Sequence, residues 1–283
     1  MEKVEITQQV RKHYAGVAKE SSPSGCCSSR SGEKSASCCP AESGIAEAVS
    51  LNMGYSGEEI NSVPEGANLG LGCGNPVALA SLKEGEVILD LGSGAGFDCF
   101  LAANKVGING RVIGVDMTPE MLDKARENIR KGNYTNVEFR LGEIENLPVA
   151  DNSIDAVISN CVINLSPDKP KVFREAYRVL KSGGRMMVSD IVLRGKLPMK
   201  ILNSIAAWVG CISGASSKKD YLAAVHAAGF QDVKVIDETV FPLDSLVKDP
   251  TVQAFIEEAK LSTVTLTNLA VTVVSIKVSA IKP

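Results

Sequence analysis

Short apolar runs alternate with segments of helical periodicity between residues 87 and 191, and this alternation constrains the fold more than any other feature. The runs predict strands at residues 87–91, 111–116, 137–141, 154–160 and 185–191. The spacing between them predicts helices at residues 97–106, 119–131 and 170–180. Strands that are apolar along their length are typical of parallel sheets, whose strands need helical crossovers. The pattern therefore predicts an α/β fold with an open, doubly wound, mostly parallel sheet.

The sequence predicts additions on both sides of this core. An amphipathic helix is expected at residues 4–19, and further helices at residues 198–209 and 219–228. Extended segments at residues 233–236 and 271–280 fit an antiparallel edge, which brings the sheet to seven strands. The expected organisation has three regions. Residues 1–60 form an N-terminal region of helices with a flexible Cys- and Ser-rich insertion, and residues 61–195 form the core that binds the ligand. Residues 196–283 form a C-terminal region that contacts substrate and completes the sheet.

Charge and hydropathy exclude several classes of partner. The formal net charge is −3 over 283 residues, so no basic field exists that would hold nucleic acid or an anionic membrane surface. Residues 1–20 lack the apolar segment of a secretory signal, and residues 261–276 carry seven Ser, Thr or Asn, too many for a membrane span. We therefore expect a cytoplasmic protein whose eight Cys stay reduced.

A glycine-rich turn, residues 90–96, joins the first predicted strand to the first predicted core helix. Its glycines let the backbone turn tightly and approach a ligand closely. Asp116 ends the second strand, where a carboxylate is suited to grip ribose hydroxyls. The spacing is GxGxG rather than GxGxxG, and Asp90 lies where a carboxylate suits a cationic amino-acid group but would repel a pyrophosphate. An ordinary tight turn, and a capping role for Asp116, are the plain alternatives.

This combination resembles the class I S-adenosylmethionine (SAM) methyltransferases, whose Rossmann-like fold agrees with the predicted sheet. The resemblance implies S-adenosyl-L-methionine as the methyl donor. It places Glu143 at the adenine, with a solvated loop charge as the alternative. The residues implied in cofactor binding are Asp90, Gly92, Gly94, Gly96, Asp116, Met117, Gly142, Glu143 and Asn160.

Three Cys lie in separate loops near the edge of the sheet where open α/β folds bind ligands. Cys73 lies in a Gly-rich loop before the first strand, Cys161 ends the fourth strand, and Cys211 follows the helix after the fifth. Converging thiolates would suit a soft, thiophilic centre. The alternative for each is a small buried hydrophobe, which is the role that we expect for Cys99 inside the first core helix.

The loops that carry these thiols resemble those of the arsenite methyltransferases. The matching segments are residues 63–76, 158–166 and 208–215, within a similarity that runs from about residue 54 to residue 230. The resemblance implies that Cys73, Cys161 and Cys211 bind trivalent arsenic, and that SAM methylates it in a detoxification reaction. It also implies arsenite or its thiol conjugates as substrate and a thiol reductant, such as thioredoxin or glutathione, as partner.

Arsenic chemistry agrees with the shortage of general bases in these loops. Trivalent arsenic bound by three thiolates keeps a lone pair that can attack a sulfonium methyl group, and no proton has to leave. We expect both histidines, His13 and His226, to be non-catalytic. Zinc is a weaker candidate for these Cys because the sequence offers neither a fourth ligand nor CxxC spacing.

Two vicinal pairs, Cys26-Cys27 and Cys38-Cys39, lie in the Ser-rich insertion. They could capture arsenite or donate electrons by forming a disulfide, or they could be incidental thiols of a flexible segment. Tyr14, in the N-terminal helix, is a candidate to cover the cofactor.

Two other functions stay open at this point. A small-molecule or quinone-type C- or O-methyltransferase on the same core would act independently of all three thiols. A non-catalytic metalloid-binding protein would bind arsenite without turnover, although it would have no need of Asp90, Asp116 or the glycine-rich turn.

Overall fold

A computed structural model describes residues 3–20, 43–202, 204–240 and 271–283 of the chain. The strands are β1 (Val87–Leu91), β2 (Arg111–Asp116), β3 (Val137–Leu141), β4 (Ile154–Asn160), β5 (Leu180–Leu193), β6 (Gln231–Val240) and β7 (Val273–Ile281). They form one seven-stranded sheet in the order β3-β2-β1-β4-β5-β7-β6. The first five strands pair in parallel, and β7 enters antiparallel between β5 and β6. This confirms the doubly wound, mostly parallel α/β sheet.

The described α-helices are α1 (Lys3–Glu20), α2 (Ser43–Asn52), α3 (Gly57–Asn61), α4 (Pro76–Leu79), α5 (Phe97–Val106), α6 (Pro119–Gly132), α7 (Lys169–Val179), α8 (Met199–Leu202), α9 (Ile205–Val209) and α10 (Lys218–Ala227). Local chemistry sets their ends: α6 has Pro119 in its first turn and ends at Asn133, which adopts the left-handed conformation. In the ranges that the structure covers, no helix is both long and apolar enough to cross a membrane.

The chain order of the strands places a crevice at the centre of the sheet. Strand β1 pairs with β2 on one side and with β4 on the other, so the strand order reverses there. A doubly wound sheet binds its ligand outside the carboxyl ends of the strands at such a switch point. The glycine-rich turn follows β1, and Cys161 follows β4, so both lie at this crevice.

Apolar residues cover both faces of the sheet, because successive side chains of a strand alternate between its faces. On one face, Leu89 belongs to a core that includes Phe173 of α7 and Tyr221 of α10. On the other face, Ile88 packs with residues of α5 and α6 such as Phe100. A third cluster joins α1 to the loops that carry Cys73 and Cys211 and to α9. The thiol-bearing loops therefore lie in a packed region rather than in solvent.

Three elements differ from their predictions, and the first is β6 (Gln231–Val240), which extends the strand expected at residues 233–236 at both ends. The single helix expected at residues 198–209 is divided into α8 and α9, because the Ser204 hydroxyl accepts a bond from the Ala207 N–H at 3.2 Å and caps a new helix. Strand β5 begins at Leu180, earlier than expected, with a shift of register opposite β4 and with Gly183 at a φ of 79°. The pairing of β5 with β4 therefore begins at Leu180 and resumes at Arg185, after an irregular stretch that contains Gly183 and Gly184.

Candidate functional site

A cavity of about 450 Å³ opens at the carboxyl ends of β1, β2 and β4. Its volume lies within the range of small-molecule sites. The glycine-rich turn, the ends of β2 and β4, and the loop after α9 form part of its wall. Helices α1 and α2 add apolar side chains, including Val10 and Val49. The cavity thus lies at the switch point and is covered by the N-terminal helices.

The three glycines of the turn serve two different purposes. Gly92, Gly94 and Gly96 have left-handed φ angles of 68°, 52° and 97°. Gly92 and Gly94 line the cavity, and a Cβ on Gly92 would lie 2.3 Å from the Val162 side chain. Gly96 is not on the cavity wall and instead caps α5, where a Cβ would lie 2.7 Å from the Phe100 ring. Gly92 and Gly96 therefore allow close packing, whereas Gly94, with only Met121 Sδ near its Cβ position at 4.0 Å, keeps the backbone open to a ligand.

Asp116 lines the cavity at the end of β2, and backbone groups hold its carboxylate. The Gly94 N–H donates to its Oδ2 at 2.9 Å and the Thr118 N–H to its Oδ1 at 2.8 Å. Burial raises the pKa of Asp116, and these bonds oppose that rise. Met117 and Gly142 also line the cavity. Of the predicted cofactor residues, those that line the cavity are Asp90, Gly92, Gly94, Asp116, Met117, Gly142 and Asn160.

Glu143 lies beside the cavity rather than on its wall. Its neighbours Gly142 and Ile144 line the cavity, whereas its carboxylate pairs with Arg11 of α1 at 3.3 Å, both side chains being 44% exposed. The sequence carried no sign of this partner, because α1 lies far away along the chain. The adenine contact of Glu143 stays a prediction.

Asp90 is a buried carboxylate on the cavity wall, only 3% exposed. The Cys99 thiol donates to its Oδ2 at 3.2 Å. Burial, and repulsion by the Asp98 carboxylate, hold the pKa of Asp90 well above its ordinary range. A cationic ligand group beside Asp90 would favour its charged form. Cys99 is fully buried, in agreement with the packing role expected for it.

Tyr55 and Asp98 form a buried polar pair that the sequence did not single out. The Tyr55 O–H donates to Asp98 Oδ1 at 2.6 Å, and Asn160 Nδ2 donates to Asp98 Oδ2 at 3.1 Å. Burial raises the pKa of Asp98 to about 6. In the sequence Asp98 reads as an ordinary acidic residue of a first helical turn, so only its burial distinguishes it. Asn160 and Asp98 both line the cavity.

Cys73, Cys161 and Cys211 come together at the cavity. The nearby thiols of Cys211 and Cys73, followed by burial, hold the pKa of Cys161 well above its ordinary value. The Cys211 thiol also donates to the Cys161 carbonyl at 3.0 Å. Cys161 and Cys211 line the cavity, and the buried Cys73 thiol lies 3.7 Å from Ser189 Oγ. The structure makes the thiols neighbours, and their role as arsenic ligands stays a prediction.

Two of these thiols sit on unusual backbone. Cys161 and Cys211 have left-handed φ angles of 59° and 63°. A residue with a side chain adopts this conformation at a cost on the order of 1–3 kcal/mol, and it persists where the surroundings enforce it. Backbone bonds do so here: the Cys161 N–H donates to Ser189 O at 2.8 Å and the Cys211 N–H to Trp208 O at 2.9 Å. Such strain clusters at functional sites.

The described cysteines do not form a closed metal site. Across the ranges that were placed, no group of three or more His, Cys, Asp or Glu side chains has the arrangement of one, the three neighbouring thiols included. Cys26, Cys27, Cys38 and Cys39 lie outside the described residues.

Helix α1 brings His13 and Tyr14 to the cavity wall. Their rings meet edge to face, with centroids 5.2 Å apart, and the Tyr14 O–H donates to Val209 O at 3.1 Å. Tyr14 thus lies on the cavity wall, and its role in covering the cofactor stays a prediction. His226 is exposed on α10, away from the cavity wall. One of the two histidines thus lies at the site because α1 crosses the opening, and its expected lack of a catalytic role stays a prediction.

Lys169 is a cation near Cys211 that the sequence did not indicate. Its ammonium group donates to Ser166 O at 3.1 Å and lies 5.9 Å from the centroid of the Trp208 ring. Burial lowers the pKa of Lys169, an effect opposed by Asp190 and Cys211. In the sequence it merely precedes the helix predicted at residues 170–180, whereas in the structure it is the first residue of α7.

Comparison with known proteins adds independent information. Residues 82–229, just over half of the chain, match a family model described as a methyltransferase domain. The chain is 50% identical over 233 residues to an arsenite methyltransferase of Halobacterium salinarum, covering 82% of this chain and 59% of that protein. It is 37% identical over 183 residues to an arsenite methyltransferase of Homo sapiens, covering 62% and 48% of the two chains.

A solved structure shows the same likeness in three dimensions. The crystal structure of an arsenic(III) S-adenosylmethionine methyltransferase from Chlamydomonas reinhardtii matches with a TM-score of 0.61 at 32% identity. The match covers 86% of this chain and 74% of that one. The chain spans about half to three fifths of the length of the curated relatives that it matches first.

Proposed function

The chain belongs to the arsenite methyltransferase family of SAM-dependent enzymes, and on that premise we propose that it transfers methyl groups from SAM to trivalent arsenic held by Cys73, Cys161 and Cys211. The observation that carries the proposal is the meeting of three thiols from separate loops at the cavity that the glycine-rich turn also lines. A methyltransferase for carbon or oxygen acceptors has no need of such a cluster.

The chemistry of the cavity wall fits SAM. Asp90 offers a carboxylate for the cationic amino-acid end, and Asp116 offers one for the ribose hydroxyls. Gly94 leaves the backbone open, and Met117 and the loop around Gly142 and Glu143 form the proposed adenine side. When bound, SAM supplies an electrophilic methyl group on a sulfonium centre. Tyr14 and the rest of α1 exclude water from the reacting groups.

Arsenite is the proposed substrate of the thiol cluster. Each thiol that displaces a hydroxyl group from As(OH)₃ releases one water, so three S–As bonds form with no net loss of a proton. Cys161 and Cys211 are held in place by their constrained backbone, and binding has to draw the neighbouring thiols together around one arsenic atom. Thiolates are the ligands that such a soft centre prefers.

Methyl transfer then needs positioning rather than a base. The arsenic lone pair forms the new As–C bond while the S–C bond of the sulfonium breaks, and S-adenosylhomocysteine leaves. Arsenic is oxidised from +3 to +5 in this step, so two electrons from thiols must reduce it before another transfer. We assign that reduction to a thiol reductant such as thioredoxin or glutathione, and the reaction to the cytoplasm, which keeps thiols reduced. Its methylated products would serve detoxification.

The decisive experiment incubates the protein with methyl-labelled SAM, arsenite and glutathione, and separates arsenic species by chromatography with mass spectrometric detection. Labelled methylarsenicals are expected from the wild type. Cys161→Ser should lower turnover by more than about 100-fold while leaving the SAM dissociation constant nearly unchanged.

Cys99→Ser is the matched control, because a serine hydroxyl keeps the bond to Asp90 and should keep most of the activity. Arsenite binding without any methylarsenical would favour the metalloid-binding alternative. Transfer to another acceptor that survives replacement of all three cluster cysteines would favour the small-molecule or quinone-type methyltransferase. Either result would sink the proposal.

A further inference from the structure

The Asn160 side chain holds the loop that carries Cys73 at two consecutive points. Its Oδ1 accepts from the Cys73 N–H at 2.9 Å, and its Nδ2 donates to the Gly74 carbonyl at 2.8 Å. A side-chain amide that pairs with the N–H of one residue and the carbonyl of the next fixes both the height and the rotation of that peptide segment. The segment is the one from which the Cys73 thiol projects.

The loop is also shaped to lie directly on this amide. A Cβ on Gly72 would lie 2.9 Å from Asn160 Nδ2, which is closer than Cβ atoms come to non-bonded heavy atoms, so a larger residue at this position would displace the amide. On the far side, the Ser275 hydroxyl donates to the Cys73 carbonyl at 2.8 Å. The backbone of Cys73 is therefore held from both sides, by β4 through Asn160 and by β7 through Ser275.

Asn160 also immediately precedes Cys161. The Cys161 N–H is bound to Ser189 O, and the residue is locked in the left-handed conformation. The dipeptide Asn160-Cys161 thus supports two thiols. Cys161 carries one of them, and the Asn160 side chain holds the backbone of Cys73, which carries the other. The direction of the Asn160 side chain therefore constrains where the Cys73 backbone lies relative to Cys161.

The orientation of the amide is determined by Asp98 and Tyr55. Tyr55 donates its O–H to Asp98 Oδ1, so its oxygen can act only as an acceptor toward Asn160 Nδ2, at 2.9 Å, and Asp98 Oδ2 lies 3.1 Å from the same nitrogen. The two amide protons are shared among these two oxygens and the Gly74 carbonyl. Both partners are buried, with exposures of 4% for Tyr55 and 7% for Asp98. With acceptors on this side, the nitrogen must face them and the oxygen must face the Cys73 N–H.

We infer that Asn160 is a positioning residue of the thiol cluster rather than a ligand of the methyl donor, with Asp98 and Tyr55 fixing its orientation. The identity of arsenite as the ligand of the cluster rests on the proposed function, whereas the contacts of Asn160 with the Cys73 loop do not depend on it. Asp98 lies in the first turn of α5, directly after the glycine-rich turn, so the same network ties the Cys73 loop to the cofactor side of the cavity.

The test compares Asn160→Ala and Asn160→Asp with the wild type in three measurements. Arsenite affinity is read from the fluorescence of Trp208, the single tryptophan of the chain, which lies beside Cys211. SAM affinity is measured by calorimetry. Bridging of Cys73 and Cys161 by dibromobimane, a reagent that links two nearby thiols, is mapped by peptide mass spectrometry and needs no arsenic.

Both variants should weaken arsenite binding by about tenfold or more and lower the yield of the bridged peptide, while SAM affinity changes less than about threefold. Asn160→Asp should have the larger effect, because it keeps the shape but sets an acceptor against Asp98 and the Gly74 carbonyl. Tyr55→Phe, which leaves Asn160 intact, should cause a smaller loss in the same direction and guards against a variant that fails to fold.

Asp116→Asn is the reciprocal control, since it should weaken SAM binding and spare both thiol measurements. A loss of SAM affinity in Asn160→Ala as large as the loss of arsenite affinity, or unchanged bridging in folded Asn160 variants, would overturn the inference. If the wild type binds no arsenite, the proposed function fails while the bridging experiment still tests Asn160.

Discussion

Asp190 illustrates how much the fold imposes on a single titratable group. It lies in β5 with an exposure of 1%, and it accepts bonds from the Ile191 N–H at 2.9 Å, Asn164 Nδ2 at 2.8 Å and the Tyr221 O–H at 3.1 Å. Burial raises the pKa of Asp190 to about 7, although these bonds oppose the rise. The folded protein therefore holds a proton here at pH values where the unfolded chain has lost it.

The sign of the resulting pH dependence follows from this proton. Between a pH of about 4, the pKa in the unfolded chain, and about 7, the folded state binds more protons, so the free energy of unfolding falls as pH rises. Asp190→Asn should flatten this fall, by roughly 2–4 kcal/mol across the window. Urea denaturation at several pH values measures it. The exposed Asp123→Asn should keep the wild-type slope, and an equally steep slope in Asp190→Asn would contradict the assignment.

Individual residues of the site differ in how readily the sequence reveals them. Asp116 ends one predicted strand and Cys161 follows another, and parallel topology alone brings such strand ends to one edge of the sheet. Asp98, Tyr55 and Lys169 carry no such mark, because their importance comes from burial beside groups distant along the chain. Glu143 shows the converse, since its position after a strand was clear but its ion pair with Arg11 was not.

At the scale of elements, ion pairs beside the cavity link helix α1 to the methyltransferase core. Three ion pairs link it to three separate segments: Lys3 with Asp168, Arg11 with Glu143, and Lys19 with Glu120, at 2.9, 3.3 and 3.1 Å. Beneath them, Ile6 and Val10 are buried. Exposed ion pairs each contribute only about 0.2–1 kcal/mol, so the helix is held firmly only by the set together with its apolar face.

Removing all three cations of α1 should therefore accelerate ligand release without unfolding the protein. We expect Lys3→Ala/Arg11→Ala/Lys19→Ala to raise the dissociation rate of SAM roughly three- to tenfold at low salt. The difference from wild type should shrink at about 1 M salt, where the charges are screened. Stopped-flow fluorescence measures the SAM dissociation rate of the variant and of the wild type at each salt concentration. Arg111→Ala, which breaks an exposed ion pair with Glu138 that does not involve α1, should leave the SAM dissociation rate unchanged. A triple variant that releases SAM as slowly as the wild type would contradict the role of these ion pairs in holding α1.

At the scale of the whole molecule, β7 links the edge strand β6 to the rest of the sheet. β7 pairs with both β5 and β6, and just beyond it Lys282 is buried, with an exposure of 8%. Its ammonium group donates to Asn152 Oδ1 at 2.8 Å, Tyr177 O at 2.8 Å and Leu180 O at 2.7 Å. These contacts join the end of the chain to the turn before β4 and to the junction of α7 and β5.

Lys282→Met keeps the aliphatic stem but leaves buried carbonyl oxygens without a donor. It should lower the free energy of unfolding by roughly 2–4 kcal/mol, measured by urea denaturation. Lys181→Met is the matched control, because Lys181 forms a pair with Asp155 at 2.8 Å with its side chain 43% exposed, and should lose less than about 1 kcal/mol. Equal losses in the two variants would show that the buried contacts of Lys282 contribute little.

The sequence alone determined the seven-stranded α/β sheet and the edge at which ligands bind, because apolar periodicity and glycine turns are local properties that parallel topology converts into a switch point. It also marked the loops of Cys73, Cys161 and Cys211. Only the tertiary structure decided what supports those thiols: the Asn160 amide under the Cys73 loop, the left-handed backbone of Cys161 and Cys211, and α1 across the opening. These depend on contacts between segments far apart in the chain, whose geometry follows from packing and burial rather than from local spacing.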